Sequence, residues 1–339
     1  VSSLKEIYII LTRYQLLITL LKLKKEENNV LILLDDILKP DKEEEMISSG
    51  LVQEIIRLND YDFTITRDFC STGDIRKKTL KLLKNAKNIY IYVDHFYLGC
   101  YMDKHKIEYN TIEDGYNYYK YSHKNFIDRV FTKNAKSRDY IEFIKHLLFA
   151  RLNKPGFGKY CKSIEVNDIS VVPRDERWNK FFEVPRYKLF KNINEKRKLQ
   201  ILNLFEVEEL KDVSSNSVLI LTQPLSIDKL ISSQEAQYNF YKKICRKCLE
   251  DGYEVYLKPH PRDTINYDTI EGINVIAKDV PMELIEMVSD AKFKKIIAHS
   301  STAIDFLSCG EEKEIIFDFT TRKYNSSLLS KYNVAKEEL

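Results

Sequence analysis

Short runs of β-branched and aromatic residues alternate with amphipathic, charge-rich stretches along most of the chain. That alternation restricts the fold to an α/β class built on parallel sheets. In the first half, strands are expected at IYIILT (7–12), VLILLD (30–35), FTITR (63–67), NIYIYVD (88–94) and KIEYNTI (106–112). Helical runs such as EEEMISSGLVQEIIRL and IRKKTLKLLKNA separate them. The pattern restarts with SVLILTQ (217–223), YEVYLK (253–258), INVIA (273–277), KKIIAHS (294–300) and EIIFDF (314–319). A less regular zone lies between the halves and carries Pro155, Gly156, Gly158, Pro173 and Pro185. The expected organisation is a first Rossmann-like domain over 1–155, an irregular connecting region over 156–215, a second Rossmann-like domain over 216–322 and a tail over 323–339. Ligands of open α/β sheets bind beyond the carboxyl ends of the strands, so the chemistry is sought there.

Composition removes several function classes. With 54 Lys+Arg against 51 Asp+Glu, the formal charge is +3, far from the concentrated basic excess of a nucleic-acid binder. The chain has only 9 glycines and contains neither GxGxxG nor GxxxxGK[ST], which leaves dinucleotide and P-loop phosphate binding without support. HExxH and GxSxG are also absent. Six scattered cysteines suit a reducing compartment, and the lone CxxC of Cys245 and Cys248 reads as ordinary helix residues. Asp35-Asp36 and Asp60-Tyr61-Asp62 read as turns, so no metal site is expected. The apolar opening IYIILTRYQLLITLLKL is interrupted by Arg13 and Gln15 and is too short for a membrane span. It lacks the features of a secretory leader, and the expected location is cytoplasmic, with peripheral contact at the inner membrane face left open.

Three strand ends carry candidate chemistry. Lys258-Pro259-His260-Pro261-Arg262 follows YEVYL; its prolines stiffen the turn, and a cationic turn with an imidazole suits a phosphate or a departing oxyanion. His299-Ser300-Ser301-Thr302 sits where a strand passes into a helix, and hydroxyls plus free backbone N–H groups there can hold an anion without a glycine loop. Glu113-Asp114-Gly115 follows a third strand, pairing two carboxylates with a glycine that permits a tight turn, so one carboxylate can serve as a general base. The second EDG, Glu250-Asp251-Gly252, reads as a helix end.

Together these residues resemble bacterial sialyltransferases of glycosyltransferase family 52 and their polysialyltransferase relatives. That group shares a D/E-D/E-G motif, an HP motif and a downstream serine motif, matched by Glu113-Asp114-Gly115, His260-Pro261 and Ser300-Ser301. The opening IYIILTRYQLLITL and LILTQPLSID are similar as well. The resemblance implies a GT-B fold of two Rossmann-like domains facing across a cleft, with the acceptor mainly on the N-terminal domain and CMP-sialic acid on the C-terminal one. It implies inverting transfer to a sugar hydroxyl, such as galactose, of a bacterial capsule or lipooligosaccharide glycan, with no metal or other cofactor. His260 would serve the departing phosphate; Lys258, Pro261, Arg262, Ser300, Ser301 and Thr302 would bind substrate, as would Glu113 and Gly115 beside the base. Asp114 is the first choice for that base and Asp228 the second. The partners implied are a nucleotide-sugar donor and a glycan acceptor, not nucleic acid, with a homodimer left open. The rivals are a GT-B transferase of another nucleotide sugar and a non-catalytic glycan- or nucleotide-binding protein.

Overall fold

A computed structural model of the chain describes residues 4–64, 73–115, 155–300, 304, 307–318 and 323–335. The chain divides into two units, Val1–Leu204 and Phe205–Leu339.

The first unit is built on seven parallel strands. These are β1 (Lys5–Ile10), β2 (Asn28–Leu33), β3 (Glu54–Arg57), β4 (Ala86–Ile91), β5 (Tyr109–Ile112), β6 (Cys161–Val166) and β7 (Phe181–Glu183). Their order is β3-β2-β1-β4-β5-β6-β7. Around them run α1 (Arg13–Lys22), α2 (Pro40–Ser48), α3 (Gly73–Lys84), α4 (Tyr97–Lys104), α5 (Arg186–Lys191) and α6 (Glu195–Phe205). β1 and β2 are buried along nearly their whole length, which is why they read as continuous apolar runs rather than alternating ones. Thr12 starts α1, its hydroxyl accepting the Gln15 N–H at 3.2 Å.

Two expectations for this unit fail for identifiable reasons. The stretch EEEMISSGLVQEIIRL holds both a helix and a strand: α2 stops at Ser48, Gly50 adopts φ +71°, and Glu54–Arg57 then pairs with β2. Only a residue tolerant of positive φ ends the helix so abruptly. The FTITR strand is replaced at its start by a 3₁₀ turn over Asp60–Phe63, and 65–67 lie outside the described residues.

The region 156–215 is not an irregular connector. It supplies β6, β7, α5 and α6, and it is tied down by contacts distant in sequence. Gly156 N–H donates to both oxygens of buried Asp94 at 3.1 and 3.0 Å. Arg177, 1% exposed, pairs with Asp175 at 2.7 Å, donates to the Pro155 carbonyl at 2.7 Å and lies 4.2 Å from the Phe157 ring centre. Gly158 is required by close approach, since a Cβ there would sit 1.9 Å from the Tyr109 hydroxyl.

The second unit carries five parallel strands, β8 (Ser217–Leu221), β9 (Glu254–Lys258), β10 (Ile273–Val275), β11 (Phe293–Ala298) and β12 (Gly310–Ile315). Their order is β10-β9-β8-β11-β12, with α7 (Gln234–Glu250) and α8 (Met282–Val288) in the connections. Cys245 and Cys248 are packed in the core on α7, and burial pushes both thiol pKa values up, in keeping with ordinary helix residues. The residues expected as a tail belong to this unit's structure. β13 (Phe317–Asp318) pairs antiparallel with β14 (Lys323–Tyr324), α9 (Ser326–Lys331) follows, and Leu329, Tyr332 and Val334 are buried in the core. These pieces are too short to show a periodicity.

Each sheet reverses its strand order once, between β1 and β4 and between β8 and β11. Such reversals open a crevice at the carboxyl edge. Among the described residues no helix is long and apolar enough to cross a membrane.

Candidate active site

In the second unit, Lys258 pairs with Leu221 and Leu221 with Ala298, which aligns the ends of β9, β8 and β11. Positions two residues on, His260, Gln223 and Ser300, therefore fall along one carboxyl edge. Two strand spacings put His260 and Ser300 roughly 10 Å apart.

The His260 turn is fixed from several directions. Its N–H donates to the Thr222 hydroxyl at 2.9 Å, and that hydroxyl donates to Asp263 at 3.0 Å. Gln237 Nε2 and the Tyr267 hydroxyl donate to the same carboxylate at 2.9 Å each, and the Ile265 N–H reaches its other oxygen at 3.1 Å. Asp263 N–H closes the turn onto the His260 carbonyl at 2.8 Å. Arg262 N–H donates to His260 Nδ1 at 3.1 Å, so the neutral ring carries its proton on Nε2. Burial, aided by Arg262 and Lys258 and opposed by Asp228, takes the His260 pKa down to about 4. The resting group is thus a neutral Nε2–H donor rather than an imidazolium.

The flanking residues divide. Pro261 and Arg262 are exposed, and Arg262 forks onto Asp228 with both bonds at 3.1 Å. Lys258 does not present its charge as expected. It is buried, its ammonium donates to the carbonyls of Lys278 at 2.8 Å and Pro259 at 3.3 Å, and burial lowers its pKa to about 8 against the pull of Glu283 and Asp279. Side chains alternate along β9, and this position faces inward. Ser300 is likewise buried rather than open, its hydroxyl 2.8 Å from His299 Nδ1. His299 stacks on Phe317 at 5.4 Å, and burial takes its pKa down to about 4. Ser301 and Thr302 lie outside the described residues.

At the carboxyl edge of the first unit, Gly115 takes φ +66°, the turn geometry expected of it. Glu113 turns inward: it is 4% exposed, its carboxylate accepts the Asn167 N–H and its carbonyl accepts from Arg186 at 3.4 Å, so it fastens β5 to the exit of β6 rather than facing a ligand. Asp114 is half-buried, and Gln15 Nε2 donates to it at 2.7 Å. Gln15 itself is fully buried, and its oxygen accepts the Leu11 N–H at 2.7 Å, which fixes the orientation of the amide. Burial raises the Asp114 pKa, opposed by the Gln15 hydrogen bond and the Arg186 charge. A carboxyl raised in this way is better matched to accepting a proton near neutral pH than one in water.

Thr222, Gln237, Asp263 and Gln15 escaped the motif reading. Gln15 had a signal, since it is the polar residue that interrupts the apolar run of α1, and a buried amide needs partners. Asp263 directly follows the HP turn and could have been counted as its anchor. Among the described residues no three His, Cys, Asp or Glu side chains gather as a metal site.

The sequence model of glycosyltransferase family 52 matches residues 27–317. No curated protein sequence matches the chain. Among solved structures, the chain is similar to Methanocaldococcus jannaschii UDP-GlcNAc 2-epimerase in complex with UDP-GlcNAc and UDP, at 12% identity and TM-score 0.49 over 92% of this chain and 89% of that one. It is similar to a Glycyrrhiza uralensis protein complexed with glycyrrhetinic acid 3-O-monoglucuronide, at 8% identity and TM-score 0.49 over 99% and 89%. A third is spinosyn forosaminyltransferase, at 10% identity and TM-score 0.46 over 97% and 84%.

Proposed function

The chain belongs to glycosyltransferase family 52, and from that premise we propose that it is an inverting sialyltransferase of the GT-B type, moving sialic acid from CMP-sialic acid to a sugar hydroxyl of a bacterial surface glycan. The acceptor oxygen attacks the anomeric carbon as the bond from that carbon to the CMP phosphate oxygen breaks. The hydroxyl proton passes to Asp114, and the leaving phosphate takes the hydrogen bond of His260 Nε2–H. The hydrogen bond from the fixed Nε2–H strengthens as negative charge accumulates on the phosphate oxygen, which stabilises the transition state more than the ground state. Arg262 adds positive charge beside it, and no metal is required for the step. Lys258, Glu113 and Ser300 hold their strand ends in place rather than touching the donor.

Asp114 is preferred to Asp228 as the base because both Asp228 oxygens are taken by the Arg262 guanidinium. One observation carries the proposal: a turn fixed by Thr222 and Asp263 that leaves a neutral imidazole with its proton on Nε2. Incubation with CMP-sialic acid and a panel of galactosides, read by mass spectrometry, is expected to give sialylated product. Thermal stabilisation by CMP but not by UDP or GDP is expected alongside. Stabilisation by UDP alone, with no product from CMP-sialic acid, would replace the donor assignment.

A further inference from the structure

Buried charge collects beside the strand end that presents Asp114. Glu165 on β6 is 4% exposed, and Arg186, the first residue of α5, is 5% exposed. One guanidinium nitrogen of Arg186 donates to the Glu165 carboxylate at 2.6 Å. The other reaches the Glu113 carbonyl at 3.4 Å, on the peptide that leads directly into Asp114. The second Glu165 oxygen takes the Lys22 ammonium from the last turn of α1. The Arg186 backbone N–H donates to the Asn167 side-chain oxygen at 2.7 Å, and the Asn167 N–H donates to the Glu113 carboxylate. Arg186 is thus tied twice to the residue before Asp114, once through its side chain and once through its backbone.

Packing does not call for this arrangement. Apolar residues of similar volume would join α1, β6 and α5 about as well, because two cations and a carboxylate lose hydration when buried. Burial lowers the Lys22 pKa against the pull of Glu165. What the ions supply and apolar residues would not is a field at the neighbouring carboxyl. Arg186 opposes the rise that burial imposes on the Asp114 pKa. Glu165 faces the same guanidinium and a second cation, so it governs how much positive charge is left over for Asp114. The phenols of Tyr14 and Tyr92 lie in the field of Arg186, and those of Tyr8 on β1 and Tyr90 on β4 in that of Glu165. Burial raises the pKa values of Tyr8, Tyr90 and Tyr92, so these three add no charge near neutrality.

We propose that Arg186 is the positioning residue of Asp114 and that Glu165, shared between Arg186 and Lys22, sets the positive charge Asp114 feels; that Asp114 is the base of transfer rests on the sialyltransferase reading above. The guanidinium holds the Glu113 carbonyl, and with it the peptide from which the Asp114 side chain springs. Lys22, Asp114, Glu165 and Arg186 come from α1, the end of β5, β6 and α5, so the base is positioned by elements far apart in sequence.

The test uses the full chain with isotope-labelled aspartate, its carboxyl titration followed by NMR without substrate, beside the pH profile of kcat/KM for transfer from CMP-sialic acid. Opposite shifts are expected from two substitutions. Glu165→Gln removes a negative charge and should lower the Asp114 midpoint by about one pH unit. Arg186→Gln removes a positive charge and should raise it by about as much. Lys22→Met should raise it by less. Arg186→Lys keeps the charge without the fork, so the midpoint should stay near that of the unsubstituted protein while kcat falls about ten-fold. A network that only supports the fold would move the melting temperature without opposing shifts of the midpoint. Midpoints that stay put, or that move in the same direction in Glu165→Gln and Arg186→Gln, would overturn the proposal. If Arg186→Gln does not fold, Glu165→Gln and Lys22→Met make the same opposed pair. Loss of the base reading is a separate result: opposed shifts of the Asp114 midpoint that the kcat/KM profile does not follow would retain the network and reject Asp114 as the base.

Discussion

The two carboxyl edges hold their reactive groups by different means. Asp114 accepts from the buried Gln15 amide, itself oriented by the Leu11 N–H, and lies within reach of the Arg186 charge, whereas His260 sits in a turn whose anchor, Asp263, receives four hydrogen bonds. Burial acts on both and drives each toward its neutral form, raising the carboxyl and lowering the imidazole. The carboxyl is tuned by the groups around it, Gln15 and Arg186, which act directly on its protonation. The donor is preorganised by its turn, and a perturbation of the Asp263 anchor is felt by the fold as well as by the chemistry.

The sharpest break in that contrast comes from His260→Ala, which removes the donor without touching its anchors. It should lower kcat by roughly 10²- to 10³-fold, the scale for losing a donor to developing negative charge, with the melting temperature little changed. Asp263→Ala should do the reverse in emphasis. It strands Thr222, Gln237 and Tyr267 donors and should cost about 3 kcal/mol in denaturant unfolding. A stability unchanged by this substitution would mean the turn is held by something else.

Protonation offers a third test. His299 has a folded pKa of about 4, below its unfolded value, so its contribution to stability is present above about pH 6.5 and is lost as the pH falls toward 4. His299→Phe should therefore flatten the acid side of the stability profile, by up to about 3 kcal/mol between those limits. The smallest effect belongs to the edge of the first unit. Gln15→Leu removes a hydrogen bond that favours the charged carboxylate, so the acidic limb of kcat/KM should move to higher pH with an activity loss of about ten-fold. An unshifted limb would detach Asp114 from that titration.

Much of this organisation was legible in the residues. β1, β2, β8, β9 and β11 are buried on both faces, and their apolar runs announce them. What escaped has a common cause. β3 hides behind a glycine at positive φ, β6 and β7 mix polar with apolar residues and join the sheet by pairing with the distant β5 and with each other, and α9 is too short for its apolar spacing to register. At the site, the HP turn and the EDG strand end were visible because their chemistry is contiguous. The inward turn of Lys258, Glu113 and Ser300 was not, because which face a residue takes at a strand end depends on register.

The most direct examination of the account is Asp114→Asn, followed at one pH near neutrality for both stability and sialyl transfer. A carboxyl whose pKa is raised on folding stabilises below its unfolded pKa, and that stability is lost as the pH rises through the folded one, so charged Asp114 costs stability near neutrality. The neutral amide should therefore raise the melting temperature while transfer falls by roughly 10²- to 10⁴-fold and CMP still binds. Undiminished transfer by a folded Asp114→Asn protein would contradict it.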